Sequence, residues 1–132
     1  MSHKKIWTNG CFDIVHVGHI ELLKYARGQG DSLFVGIDSD ERVKKLKGEK
    51  RPINNQIWRK EVLESIKYVD KVFIFNSKEE MISILTREGI DLIVVGEDYK
   101  NREVTGSGIC PVKFFDKIPG ISSTSILEKG NL

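Results

Sequence analysis

Residues 8–19 read Thr8-Asn9-Gly10-Cys11-Phe12-Asp13-Ile14-Val15-His16-Val17-Gly18-His19. A short β-prone run, Ile6-Trp7-Thr8, leads into this stretch, and a helical pattern opens at Val17. Two of the chain's three histidines, His16 and His19, stand three residues apart at that opening. Histidines at that spacing share one helix face, so both can reach one ligand. Backbone N–H groups at a glycine turn and the positive end of a helix favour an anion there, and a nucleotide phosphate fits best. Gly10 leaves no Cβ in the way of that anion. Asp13 is suited to orient the turn, to meet substrate or to hold a metal ion. A histidine that merely caps a helix is the bland alternative for either ring.

Outward from the motif, apolar runs alternate with helical patterns. Strands are predicted at Lys5–Thr8, Ser32–Ile37, Lys71–Phe75, Leu92–Val95 and Pro111–Phe115. Near-continuous runs such as VFIF and LIVV fit strands buried on both faces of a parallel sheet. Helices are predicted at Val17–Arg27, Asp40–Leu46, Asn55–Tyr68 and Lys78–Glu88, with a last one opening near Ser122–Ser125. In the third, Trp58, Val62, Ile66 and Val69 fall at the spacing of one apolar face. The order predicts an α/β fold, a Rossmann-like doubly wound sheet of five parallel strands in one domain over residues 1–132. Ligands of such sheets bind beyond the carboxyl ends of the strands, where strand order reverses.

Composition narrows the classes. A length of 132 residues supports one core rather than two. Net charge is +2, from 21 basic and 19 acidic side chains, too balanced to imply a nucleic-acid or membrane surface. No apolar run approaches the ~20 residues of a membrane span, and the first residues lack a signal-peptide pattern. A cytoplasmic protein is expected. Cys11 and Cys110 show no metal-site or disulfide spacing, and Cys11 reads as a small packing residue.

Three further clusters carry chemistry. Lys44, Lys45, Lys47, Lys50 and Arg51 crowd a loop shaped by Gly48 and Pro52. They make either a cationic wall for a phosphorylated substrate or a solvated basic face. Asp38, at the end of the second strand, is a candidate substrate ligand. Gly96-Glu97-Asp98-Tyr99-Lys100 follows the fourth strand, where Gly96, Asp98 and Tyr99 suit contacts to ribose or base. Ile121-Ser122-Ser123-Thr124-Ser125-Ile126 puts four hydroxyls at a helix start, an anion site by type.

TNGCFDIVHVGH resembles the first motif of the small cytidylyltransferase-like nucleotidyltransferases, and the likeness runs from Ile6 to Leu127. The resemblance implies that His16 and His19 contact the nucleotide phosphates and stabilise charge during transfer, with Lys47 and the Thr124 hydroxyl beside them. It places the nucleotide on Thr8, Asn9, Gly10, Cys11, Phe12, His16, Gly18, His19, Gly96, Asp98, Tyr99, Ile121, Ser122, Ser123 and Thr124. It places the acceptor on Asp13, Asp38, Lys47, Lys50, Arg51, Arg59 and Lys117. Arg59 matches a family arginine; a salt bridge to Glu61, Glu64 or Asp70 is its structural alternative. Lys117 stands where relatives carry an arginine, a point charge in place of a bidentate fork.

The implied reaction is nucleotidyl transfer from ATP or CTP to a phosphorylated sugar or polyol, with Mg²⁺ or another divalent cation on the phosphates and a homodimer as the assembly. Two branches compete. KGEKRPIN and GEDYK with EVTGS resemble the heptose 1-phosphate adenylyltransferases, the leading reading. WRKEVLESIKYVD and PGISST resemble glycerol-3-phosphate cytidylyltransferase. A nucleotide-sensing module without catalysis is the non-enzyme alternative. RNA binding through the basic loop lacks an aromatic stacking platform, and the length excludes a complete tRNA synthetase.

Overall fold

A computed structural model describes residues 3–96 and 103–115. Five strands, β1 (Lys5–Gly10), β2 (Ser32–Asp38), β3 (Lys71–Phe75), β4 (Leu92–Gly96) and β5 (Val112–Phe115), form one parallel sheet in the order β3-β2-β1-β4-β5. The four helices between them are α1 (Val17–Arg27), α2 (Asp40–Lys47), α3 (Gln56–Glu64) and α4 (Lys78–Glu88). This is the predicted Rossmann-like α/β fold. Strand order reverses between β1 and β4, so Gly10 and Gly96 end neighbouring strands at the edge where such sheets take ligands.

The sheet divides the core into two layers. Ile6, Val35 and Val94 pack with Leu23 of α1 and Leu63 of α3 on one face. Trp7, Phe75 and Ile93 pack with Met81, Ile84 and Leu85 of α4 on the other. Each fully buried side chain of this size stabilises the fold by ~1.5–3 kcal/mol. The Trp7 indole lies across β2 at Gly36, where a Cβ would come within 2.2 Å of the ring; only glycine lets that packing stand.

Local chemistry sets the element ends. Ser39, Asn55 and Ser77 cap α2, α3 and α4 through side-chain oxygens that accept N–H bonds. Gly89 closes α4 in the left-handed conformation, φ 68°. The fifth strand begins one residue later than predicted, at Val112, although the Pro111 carbonyl still accepts the Ile93 N–H at 2.9 Å. Proline has no N–H to give the ladder.

The third helix departs most from expectation. It ends at Glu64, four residues before Tyr68, where the Ser65 hydroxyl donates to the Val62 carbonyl at 2.6 Å. Its buried residues are Arg59 and Leu63, while Trp58 and Val62 are 58% and 47% exposed. Within the helix the predicted apolar face, Trp58 and Val62, therefore turns outward. Ile66 and Val69 reach the core from the following turns instead.

Candidate functional site

The opening motif makes a helix start from two imidazoles. His16 is the N-cap of α1, and its Nδ1 accepts the Gly18 N–H at 3.1 Å. The Nδ1 of His19 reaches back to accept the His16 N–H at 3.2 Å. This is a capping box, with histidines in the places usually held by Ser or Thr and Glu. The rings stack with centroids 3.9 Å apart. An Nδ1 that accepts a backbone N–H carries no proton, so each neutral ring keeps its hydrogen on Nε2. The cap thus sets two Nε2–H groups near the positive end of a helix, that of His16 withdrawn from solvent. Capping uses the other nitrogen of each ring.

The turn before it differs from its expected form. Gly10 ends β1, and Phe12 takes the left-handed backbone, φ 51°. A Cβ on Gly10 would sit 3.2 Å from the Phe12 ring, which stands in turn 5.1 Å from His19. Gly10 therefore makes room for Phe12, and Phe12 backs the histidine. Cys11 is buried, as expected of a packing residue. Burial pushes its thiol up, with Lys47 and Arg59 partly opposing. Thr8 is fully buried, and its hydroxyl has no hydrogen-bond partner among the described residues.

Asp13 requires a correction. Its side chain is fully buried, and its oxygens accept the Arg51 Nε–H at 2.9 Å and the Ile53 and Asn54 N–H groups at 2.8 Å. The Asn54 amide also donates to the Asp13 carbonyl at 2.6 Å. With both oxygens occupied and shielded, Asp13 is not placed to hold a metal or touch substrate. It pins the loop of residues 51–54 to the motif. Burial alone would raise its carboxyl, but the Asn54 and Ile53 N–H groups and the Arg51 guanidinium outweigh burial and hold it below the usual range.

Arg59 is corrected too. It is 1% exposed and points inward, donating to the carbonyls of Cys11 (2.9 Å), Asp38 (2.8 Å) and Asn54 (2.9 Å) and to Asp40 Oδ1 at 2.9 Å. Neither direct substrate contact nor a bridge to Glu61, Glu64 or Asp70 describes it. One guanidinium ties together the motif, the end of β2 and the basic loop. Asp40 and Arg42 were not singled out by sequence, since nothing in their neighbours marks a long-range partner.

The basic cluster separates into parts: Lys44, Lys45 and Lys47 lie in the last turn of α2, and Lys50 and Arg51 in the loop after it. Lys44, Lys45, Lys47 and Lys50 are exposed, and Lys45 makes only a solvated contact with Glu41 at 3.6 Å. Arg51 is directed inward by Asp13. Asp38 lines a cavity with Asn9 at the carboxyl edge of the sheet. Asp98, Tyr99, Lys117, Ile121, Ser122, Ser123 and Thr124 lie outside the described residues. Among the described residues no three His, Cys, Asp or Glu side chains gather as a metal site, and no helix is long and apolar enough to cross a membrane. The described residues offer no protein cage for Mg²⁺.

The sequence model of the cytidylyltransferase-like family matches residues 7–129. The chain belongs to the cytidylyltransferase-like family. The bifunctional protein HldE of Campylobacter concisus is 46% identical over 127 residues, 96% of this chain and 27% of that protein. The HldE proteins of Nitratiruptor and Marinomonas are 46% and 44% identical, over 94% and 99% of this chain. The chain spans 27–28% of the length of these relatives. Among solved structures, the lipopolysaccharide core biosynthesis protein of Thermoplasma volcanium superposes with a TM-score of 0.71 over 89% of this chain and 98% of that one. At 23% identity that likeness speaks for the fold.

Proposed function

We propose that this cytidylyltransferase-like domain is a nucleotidyltransferase that joins a nucleoside monophosphate to a phosphorylated sugar, with ATP and a heptose 1-phosphate as the leading pair. The observation that carries the reading is the double-histidine cap of α1, which sets two imidazole donors at a helix N-terminus beside the sheet's switch point. A phosphate oxygen of the acceptor attacks the α-phosphorus of the triphosphate in line; the new P–O bond forms as the bond to pyrophosphate breaks. No covalent enzyme intermediate is needed, so rate comes from positioning and charge stabilisation. His16 and His19 donate to the α-phosphate oxygens, and Lys47 adds positive charge. Thr124, Ser122 and Ser123 keep their proposed roles at the nucleotide, as do Asp98 and Tyr99. Mg²⁺, when bound with the triphosphate, would shield its negative charge.

The 44–46% identity to HldE proteins favours the heptose branch over glycerol 3-phosphate. A cytoplasmic homodimer completes the reading, and the exposed apolar face of α3 suits a partner surface. A pyrophosphate-release panel tests it by crossing the four nucleoside triphosphates with heptose 1-phosphate, glycerol 3-phosphate, phosphocholine and FMN. Release with ATP and heptose 1-phosphate is expected. Release only with CTP and glycerol 3-phosphate would transfer the domain to the other branch. Tight nucleotide binding with no release would make it a sensor.

A further inference from the structure

Trp7 and Asn9 stand two residues apart on β1, so their side chains share the sheet face that α4 covers. Trp7 is wholly buried in the core. Asn9 is half-buried at the carboxyl end of the strand, where it lines an open cavity. The indole Nε1–H donates to Asn9 Oδ1 at 3.1 Å. An indole nitrogen can only donate, so the amide oxygen must face Trp7 and the amide NH2 must face the other way.

An asparagine amide on its own turns easily, because its last torsion is broad. Here the group that holds it cannot turn with it. The six-membered edge of the indole fills the space over Gly36, the β2 partner of Asn9, which a Cβ at that position would need. The Phe73 ring stands 6.1 Å from the indole. A donor locked into a close-packed core keeps one direction, and Asn9 takes its polarity from that donor.

Polarity matters for some ligands and not for others. A hydroxyl can meet either end of an amide, whereas a phosphate oxygen or an unprotonated ring nitrogen meets only the NH2 end. A fixed Asn9 is therefore idle against a sugar hydroxyl and decisive against a nucleotide. Asn9 also adjoins Gly10 and the turn that leads to His16 and His19.

We propose that Trp7 is a positioning residue of the transfer site: its buried indole N–H orients the Asn9 amide so that Asn9 donates to an acceptor atom of the nucleotide. The inference rests on the nucleotidyl-transfer reading, and it adds a residue that touches no substrate.

The chain has two tryptophans, and Trp58 is exposed, so a Trp58→Phe background isolates Trp7. Replacing the Trp7 indole there by benzothiophene, with sulfur in place of N–H, keeps the shape of the ring and removes the donor. Kd for ATP, measured by calorimetry without acceptor, should rise by about 2- to 10-fold, the worth of one hydrogen bond. The thermal midpoint should stay within a few degrees, and KM for heptose 1-phosphate should not change. Asn9→Ala should weaken ATP at least as much, and benzothiophene added to Asn9→Ala should do nothing more, as expected of two residues acting through one contact. Asn9→Asp still accepts from the indole but offers no donor, so it should bind ATP no better than Asn9→Ala. ATP binding that follows this pattern without pyrophosphate release from any acceptor would sink the transfer reading and leave the positioning role standing. Unchanged ATP affinity in the benzothiophene protein, an equal loss with and without Asn9, or an effect on heptose 1-phosphate alone would overturn the role of Trp7.

Discussion

Asp13 holds Arg51 at 2.9 Å across 38 residues of chain, with both groups withdrawn from solvent. The carboxylate also takes two backbone N–H groups from the Arg51 loop. Breaking a buried pair from one side leaves the other charge uncompensated and costs ~3–5 kcal/mol. Asp13→Asn should lower stability by about that amount at pH 7, read as a shift in urea midpoint at constant slope. The carboxyl's folded pKa is depressed, so its contribution is complete above the ordinary carboxylate pKa of ~4 and is lost as pH falls through the lower folded value. The gap between parent and variant should therefore hold from pH 7 to 5 and close in stronger acid. A gap that stayed constant into strong acid would contradict the linkage.

Arg59 predicts a different separation. Its four hydrogen bonds go to three carbonyls and one carboxylate at fixed angles. Lysine keeps the charge and loses the fork, so Arg59→Lys should be nearly as damaging as Arg59→Met. Each should cost on the order of 3 kcal/mol, as expected when a buried, fully bonded network is broken. Thermal denaturation of the two variants settles whether geometry or charge matters here. Full rescue by lysine would show that the guanidinium's shape is irrelevant.

These two residues also mark how far the sequence could be read. VFIF and LIVV announced buried parallel strands because a strand covered on both faces must be apolar throughout. The His-x-Gly-His spacing announced a helix start with chemistry at its tip, since capping and phosphate binding call for groups at the same place. Arg59 and Trp58 inverted expectation for one reason. Periodicity assumes that the apolar face of a helix is the buried one, yet α3 turns its apolar stripe outward and buries an arginine with pre-placed acceptors. Those acceptors are backbone carbonyls, which every sequence has and none displays. Asp13 was open to three readings for a similar reason: a carboxylate shows its type in the sequence, while the N–H groups of residues 53 and 54 come to it only through the fold.

The histidines allow structure and chemistry to be pulled apart. An asparagine's Oδ1 reproduces the acceptor at Nδ1 and supplies nothing at Nε2. His16→Asn should hold the α1 cap, keeping Tm within a few degrees, and still cut kcat by on the order of 10²-fold, as losing one oxyanion donor does. His16→Ala should lose the cap as well, adding ~1 kcal/mol of destabilisation. Near-parental turnover in His16→Asn would confine the residue to capping.

Cys11 supplies the control for mechanism. It sits inside the motif, a few residues from His16, where a covalent route would want its nucleophile. Burial pushes its thiol up, against the lowered pKa that a reactive cysteine requires. At neutral pH it is a small apolar side chain with its carbonyl engaged by Arg59. Cys11→Ala should therefore keep kcat within about twofold, a loss far below the roughly 10²-fold of a missing phosphate donor. Iodoacetamide should label the folded parent slowly at pH 8 and the urea-unfolded chain fast. Should Cys11→Ala abolish pyrophosphate release while His16→Asn preserves it, direct in-line transfer would be replaced by a thiol-bound intermediate, and the two imidazoles would be left with the helix cap alone.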